Sequence, residues 1–168
     1  MKYLLLGILM AATPGLSEEV EQACGQAVYR AFDFWVGEWQ VHSPDDQLQG
    51  HNRISTQEGG CLVLENWTGK QGSTGQSYNY YRPDTGKWHQ LWVSQGAVID
   101  YSGRFSAAGT MELEGYIHYR KDNRSEKFSG AWTPQADGSV LQEFREWDDE
   151  SKAWKDWFIG IYTKAAVD

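Results

Sequence analysis

The chain has few cysteines, few prolines and a shortage of positive charge. Its 168 residues include two Cys and four Pro, and 15 Lys and Arg stand against 23 Asp and Glu, for a formal net charge of −8. No block of basic residues and no glycine-rich phosphate loop is present. Nucleic acids and anionic membranes attract basic surfaces, so the acidic balance argues against both as partners.

Long apolar runs are also absent, apart from one short run at the N-terminus. Lys2 precedes an apolar core over residues 4–12, and Pro14, Gly15 and Ser17 follow it. This order is typical of a secretory signal peptide, and the core is too short to span a bilayer. We expect residues 1–17 to be removed. The mature protein is then periplasmic or secreted, with no membrane attachment after cleavage.

The two cysteines, Cys24 and Cys61, both remain after this processing. In an oxidising compartment an isolated pair is most simply a disulfide. The other interpretation, a reactive thiol, lacks a nearby histidine or positive cluster to lower the thiol pKa. The disulfide would join the N-terminal segment to the start of the third predicted strand.

Nine tryptophans are present, and most lie in short segments separated by turn signals such as Pro83-Asp84-Thr85-Gly86. Aromatic residues favour half-buried strands, and turn signals at this spacing predict hairpins in series. We expect a single all-β domain over residues 32–168: an antiparallel meander of about ten strands that closes into a barrel. A two-sheet sandwich is the alternative. Residues 18–31 are predicted to form a short N-terminal helix or an irregular segment. Residues 32–41 lead into the first predicted strand, and the other predicted strands are 48–57, 61–68, 77–82, 87–95, 98–106, 111–120, 126–133, 140–147 and 153–164.

Side chains alternate between the two faces of a strand, so residues of equal parity share a surface. One such grouping combines aromatic rings with amides and a single carboxylate, which is the composition of a small-molecule cavity. The alternative is a buried hydrogen-bond network whose polar groups pair with one another and bind no ligand. The candidate ligand-binding residues are Trp67, Asn79, Tyr81, Trp88, Gln90, Trp92, Gln142 and Phe144, with Glu65 as the carboxylate.

Several segments resemble a known family. The run Phe32-Asp33-Phe34-Trp35-Val36-Gly37-Glu38-Trp39 resembles the opening signature of the DUF1579-like, lipocalin-like bacterial proteins. Further similar runs span residues 60–67, 75–81 and 86–93, and residues 155–162 resemble the closing strand. The resemblance implies a calycin-type barrel with a pocket open at one end, and it implies little about chemistry. Arg82 and Ser94 depart from the family pattern, in which aspartate is usual.

Other chemistry finds less support in the sequence. The four histidines form no His-x-His or His-x-x-x-His pair, so no metal site and no cofactor is predicted. Haem bound from inside the barrel is an alternative, with His89 or His118 as the ligand. No Gly-x-Ser-x-Gly elbow occurs.

Three functions remain open. The first is an exported barrel that binds a small, partly apolar or aromatic molecule in its lumen. The second is a cyclase, isomerase or hydrolase that uses Glu65 for acid/base chemistry, with Tyr81 or Asn79, because desolvation among tryptophans raises a carboxyl pKa. The third is a structural module with a solidly packed lumen. The oligomeric state is left open.

Overall fold

The computed structural model describes residues 24–165, which form ten β-strands and three short 3₁₀ turns. The predicted signal peptide, residues 1–17, lies outside the described residues. None of the helical turns in the described range is long enough to cross a membrane. The turns are Ala27–Tyr29, Asp33–Trp35 and Glu58–Gly60. The strands are β1 Gly37–His42, β2 Leu48–Gln57, β3 Leu62–Gly69, β4 Thr74–Arg82, β5 Lys87–Ser94, β6 Ala97–Phe105, β7 Met111–Tyr119, β8 Ser125–Pro134, β9 Val140–Asp148 and β10 Ala153–Lys164.

The sheet is one closed antiparallel barrel. Each strand pairs with the next along the chain, and β10 pairs with β1 to complete the circle. The predicted ten-stranded meander is therefore confirmed, and the sandwich alternative is excluded. Gly86 shows why the hairpins are tight: its φ of 64° suits glycine, and its N–H donates to the Arg82 carbonyl at 2.8 Å.

Residues 24–36, which we name the N-terminal cap, cover one end of the barrel. Phe32 and Trp35 of the cap are fully buried, and their rings stack with centroids 4.9 Å apart. Phe32 also meets the edge of Trp88 at 5.7 Å and of Trp132 at 5.3 Å. This end, the closed end, is thus filled by aromatic side chains.

The cap fixes where the first strand begins. The sequence predicts that residues 32–41 lead into this strand; β1 begins within the run, at Gly37, after Asp33–Trp35 form a 3₁₀ turn. Phe32 and Trp35 of this turn region are both fully buried in the barrel end. The Trp39 indole N–H then donates to the Trp35 carbonyl at 2.8 Å. This bond fixes the turn to the strand that follows.

The predicted disulfide between Cys24 and Cys61 is confirmed, with a Cα–Cα distance of 5.2 Å. It ties the first described residue of the cap to the β2–β3 connection. The Trp88 indole N–H adds a second tie, since it donates to the Val28 carbonyl at 3.1 Å. The cap is therefore held both covalently and by hydrogen bonds.

The barrel wall is incomplete on one side. β1 has six residues and β10 has twelve, and their pairing covers only Trp39–His42 against Ile161–Lys164. Residues 153–160 of β10 are consequently paired with β9 alone. We name the gap between this stretch and the start of β2 with the β3–β4 turn the seam. It lies at the open end, opposite the N-terminal cap.

Replacement of Cys24 by serine should lower the free energy of unfolding. The bridged cysteines are 37 residues apart in sequence. Removing a cross-link of this length increases the conformational entropy of the unfolded chain, which should lower the free energy of unfolding by about 4 kcal/mol. Urea denaturation followed by tryptophan fluorescence measures it. Reductant should destabilise the wild type similarly and leave the variant unchanged. A loss below about 1 kcal/mol would show that the cap is held without the disulfide.

Candidate functional site

A chain of hydrogen-bonded polar side chains crosses the interior of the barrel. These side chains come from seven strands of the closed sheet and are almost completely shielded from solvent. We name this chain the polar belt. Its members, in order, are Gln142, Tyr162, Asn52, Glu65, Ser77, Asn79, Gln90 and Tyr101.

Glu65 of β3 is the central member of the belt and its one carboxylate. Asn52 Nδ2 donates to Glu65 Oε1 at 2.6 Å, and Ser77 Oγ donates to Oε2 at 2.5 Å. These donors come from β2 and β4, which flank β3. Each carboxylate oxygen therefore has one protein donor and keeps a lone pair for another.

Two arms extend the belt away from Glu65. On one side Asn79 Nδ2 donates to Ser77 Oγ at 2.8 Å, Gln90 donates to Asn79, and the Tyr101 hydroxyl donates to Gln90. Because each amide is engaged at both its oxygen and its nitrogen, this arm is fixed in orientation.

The second arm is shorter and ends at the cavity. Asn52 Nδ2 lies 3.2 Å from the Tyr162 hydroxyl, which donates to Gln142 Oε1 at 3.0 Å. Gln142 is thus held by its carbonyl oxygen. Its NH₂ group can serve a molecule in the cavity that Gln142 lines.

Burial raises the pKa of Glu65 from 4.5 to about 7. Desolvation is the largest cause, and the hydrogen bonds from Ser77 and Asn52 offset it in part because they favour the ionised form. Both protonation states are therefore populated near neutral pH. Glu65 can accept or release a proton under physiological conditions.

Tyr101 and Tyr162 remain protonated at any physiological pH. Burial raises the pKa of both phenols well above its ordinary value, and the negative charge of Glu65 raises it further. Their hydroxyl groups therefore act as hydrogen-bond donors and acceptors and not as bases.

A cavity of about 170 Å³ lies between the polar belt and the open end. Its inner side is polar and its outer side is aromatic, and among the described residues no Lys or Arg lines it. The polar lining consists of Glu65, Gln90, Tyr101, Gln142 and Tyr162, and the apolar lining of Trp67, Trp92, Ile99, Phe144, Trp157 and Phe158.

A β-bulge in β10 places two aromatic residues at the cavity mouth. Asp156 pairs with Arg145 and Phe158 pairs with Phe144, so Trp157 has no partner in β9. A bulge interrupts the alternation of faces. Trp157 and Phe158 consequently both line the cavity although they are neighbours in sequence.

A polar cluster at the rim holds Trp157 in place. Its indole N–H donates to the Tyr119 hydroxyl at 2.9 Å, and Tyr119 donates to Glu146. Arg124 donates to Glu146 at 3.1 Å and lies 4.3 Å from the centre of the Tyr119 ring. Burial and the bond to Glu146 raise the pKa of Tyr119 to about 12, so its hydroxyl keeps its proton.

The nine residues predicted to form the site all face the interior, but they do not form one group. Three belong elsewhere: Asn79 lies behind Gln90 in the belt, and Tyr81 and Trp88 pack against the N-terminal cap. Trp88 and Trp92 share a face yet lie near opposite ends of β5. Parity therefore identified a common face and not a common position along the axis. The six that line the cavity are Glu65, Trp67, Gln90, Trp92, Gln142 and Phe144.

Sequence reasoning missed four members of the belt, two of which also line the cavity, and three apolar lining residues, Ile99, Trp157 and Phe158. Asn52, Ser77, Tyr101 and Tyr162 each share parity with an apolar or candidate residue of their own strand, which was the signal present in the sequence. Parity alone does not say which face of an isolated strand points inward. The register between strands was needed to bring them together.

The histidines lie away from the cavity. His89 stacks on Tyr80 with centroids 5.7 Å apart, and His118 bonds Ser125 Oγ at 2.7 Å on the outer face. The structure therefore gives no support to haem ligation from within the lumen by either. Residues 24–165 contain no group of three or more metal-ligating side chains.

Comparisons with known proteins add no family to this description. No protein-family model matches the chain, and no curated protein shows significant sequence similarity to it. The resemblance to the DUF1579-like proteins therefore stays a prediction.

Replacement of Glu65 by glutamine should change how stability depends on pH. A pKa of about 7 in the folded state, against 4.5 in the unfolded chain, means that folding favours the protonated carboxyl. The stability that the protonated carboxyl contributes is therefore fully present below pH 4.5 and is lost as pH rises through 7. The shift corresponds to about 3 kcal/mol. Glutamine resembles the protonated form, so the variant should gain up to this amount over wild type at pH 8.5.

Urea unfolding of both proteins at pH 4 and pH 8.5 tests this expectation. Because all other titrating groups are shared, the wild-type-minus-variant difference isolates Glu65. Glu38→Gln is the matched control, since Glu38 is 72% exposed. Equal differences between wild type and the Glu65 variant at the two pH values would contradict the account.

Proposed function

We propose that the protein is a lipocalin-like barrel that binds one small, partly apolar or aromatic molecule in the cavity between the polar belt and the open end. The observation that carries this proposal is the preformed cavity with an ordered polar floor and aromatic walls. Binding sites for small molecules combine apolar walls with a few fixed polar groups in this way.

The cavity volume limits the size of the guest. Apolar cavities of about 150 Å³ accommodate a benzene-sized ring. The 170 Å³ beside Glu65 therefore fits a single ring with one or two polar substituents. A larger ligand would have to extend beyond the mouth.

The polar groups on the inner side of the cavity determine which substituents on the ring of the ligand are bound. Glu65 keeps free lone pairs on both oxygens, and the NH₂ group of Gln142 faces the same space. A hydroxyl or amine on the ring would donate to Glu65, and an acceptor would take the hydrogen of Gln142. A guest without polar groups would leave these groups desolvated without a partner.

Acid/base catalysis by Glu65 is the second candidate. It is supported by the position of Glu65 in the cavity lining and by its pKa of about 7, which suits proton transfer. Of the two proposed helpers, Tyr81 lies at the closed end and Asn79 is separated from Glu65 by Ser77. Tyr101 and Tyr162 line the cavity, and in this proposal they replace Tyr81 and Asn79 as the residues that assist Glu65.

Export to the periplasm or the exterior belongs to the same proposal. The composition of residues 1–17 and the disulfide between Cys24 and Cys61 support it, since disulfides persist in oxidising compartments. Membership of the DUF1579-like family is proposed on the sequence resemblance alone.

Native mass spectrometry of the purified protein, with fluorescence titration by phenol, aniline and benzyl alcohol, tests the binding function. Two of the cavity tryptophans, Trp67 and Trp92, should report occupancy. We expect saturable quenching, and Glu65→Gln should weaken the best probe by about threefold to tenfold, as for one hydrogen bond. Glu38→Gln should leave binding unchanged.

The outcome also separates a carrier from an enzyme. A carrier returns the co-purified compound unchanged, whereas an enzyme consumes it and loses turnover in Glu65→Gln. If no compound co-purifies and none of the three probes quenches saturably, the binding proposal is contradicted.

A further inference from the structure

The seam in the barrel wall opens onto a groove on the outside of the molecule. The groove has a volume of about 570 Å³ and is formed by the β1–β2 connection, the start of β2, the β3–β4 turn and β10. It lies where residues 153–160 of β10 have no strand partner on the β1 side. Its lining residues are Gln47, Leu48, Gln49, Trp67, Gly69, Lys70, Gln71, Ser73 and Phe158.

The groove and the inner cavity share a wall. Trp67 and Phe158 line both spaces. Elsewhere around the barrel, hydrogen-bonded backbone separates inside from outside, but at the seam these two partly exposed side chains do so. Side chains change rotamer far more readily than paired strands separate. The seam is therefore the point in the wall where a ligand can pass sideways.

The position of Trp67 is set by two glycines. Gly50 and Gly69 pair across β2 and β3, and a Cβ added to Gly50 would lie 2.8 Å from Cη2 of Trp67. The same Cβ would lie 2.4 Å from the Thr68 carbonyl oxygen. The absence of a side chain at Gly50 thus leaves the space that the Trp67 ring occupies.

The groove has both polar and apolar lining residues and carries one charge, which is positive. Lys70 is exposed, and among residues 24–165 it forms no ion pair, while no Asp or Glu lines the groove. Its backbone N–H donates to the Gln49 carbonyl at 2.8 Å, which holds the β3–β4 turn against β2. In a chain of formal charge −8, this is a fixed basic position beside the entrance to an apolar cavity.

We propose that the groove is the second half of the ligand site, and that the ligand has a single-ring head in the cavity and an anionic chain that leaves through the seam toward Lys70. This inference rests on the proposed binding function and adds the shape and charge of the ligand. Gln71 and Ser73, which line the groove beside Lys70, supply hydrogen-bonding groups for a terminal carboxylate.

Three probes with the same hydroxyphenyl head separate the parts of this site: phenol for the head alone, 5-(4-hydroxyphenyl)pentan-1-ol for head and chain, and 5-(4-hydroxyphenyl)pentanoate for head, chain and charge. Affinities come from tryptophan quenching on the full-length mature protein. Lys70→Glu removes and reverses the charge of the groove. Lys121→Glu is the matched control, because Lys121 is also exposed, in the β7–β8 turn of the open end, and does not line the groove.

We expect 5-(4-hydroxyphenyl)pentanoate to bind more tightly than phenol. Lys70→Glu should weaken binding of the carboxylate by about twofold to fivefold, the range of an exposed ion pair, and should leave binding of phenol and the alcohol unchanged. Lys121→Glu should change none of the three. An equal effect of the two lysine variants on the carboxylate, or no effect of either, would overturn the groove as a subsite while phenol binding still supports the cavity. Failure of all three probes to bind would overturn both proposals.

Discussion

The structure depends on the burial of a carboxyl group at the centre of a hydrogen-bonded belt. A lone buried carboxylate would be too costly to retain in an apolar core. Here the donors Asn52 and Ser77 reduce that cost, and the arms that end at Gln142 and Tyr101 orient those donors. The side chains of the belt are held to one another, and the cavity lies on the open-end side of them.

The belt divides the barrel into two halves with different composition. Toward the closed end, Phe32, Trp35, Trp88 and Trp132 pack against one another, and the N-terminal cap leaves the lumen filled. Toward the open end, aromatic rings surround a cavity and are themselves positioned by a bulge and a polar rim. One half thus supplies stability, and the other carries the candidate site. The disulfide holds the cap at the closed end, and neither of its cysteines lines the cavity.

The sequence predicted the barrel because its signals are local: turn residues, aromatic strands of similar length and two cysteines. Alternation also identified Glu65, Trp67, Trp92 and Gln142 as sharing a face. It missed Trp157 and Phe158, since a bulge breaks the period of two on which the prediction rests. It grouped Trp88 with Trp92 because parity carries no information about height along the barrel axis. Asn52 and Tyr162 lie 110 residues apart and meet only through the closing pair of strands.

Glu65 lies in a desolvated position beside a cavity, where burial raises its pKa to about 7. Titration of the Glu65 side-chain carboxyl by ¹³C NMR, with the signal assigned from the Glu65→Gln protein, tests this directly. We expect a midpoint at about pH 7. A midpoint near 4.5, the ordinary value, would show that water reaches this carboxyl freely and that Glu65 is not desolvated.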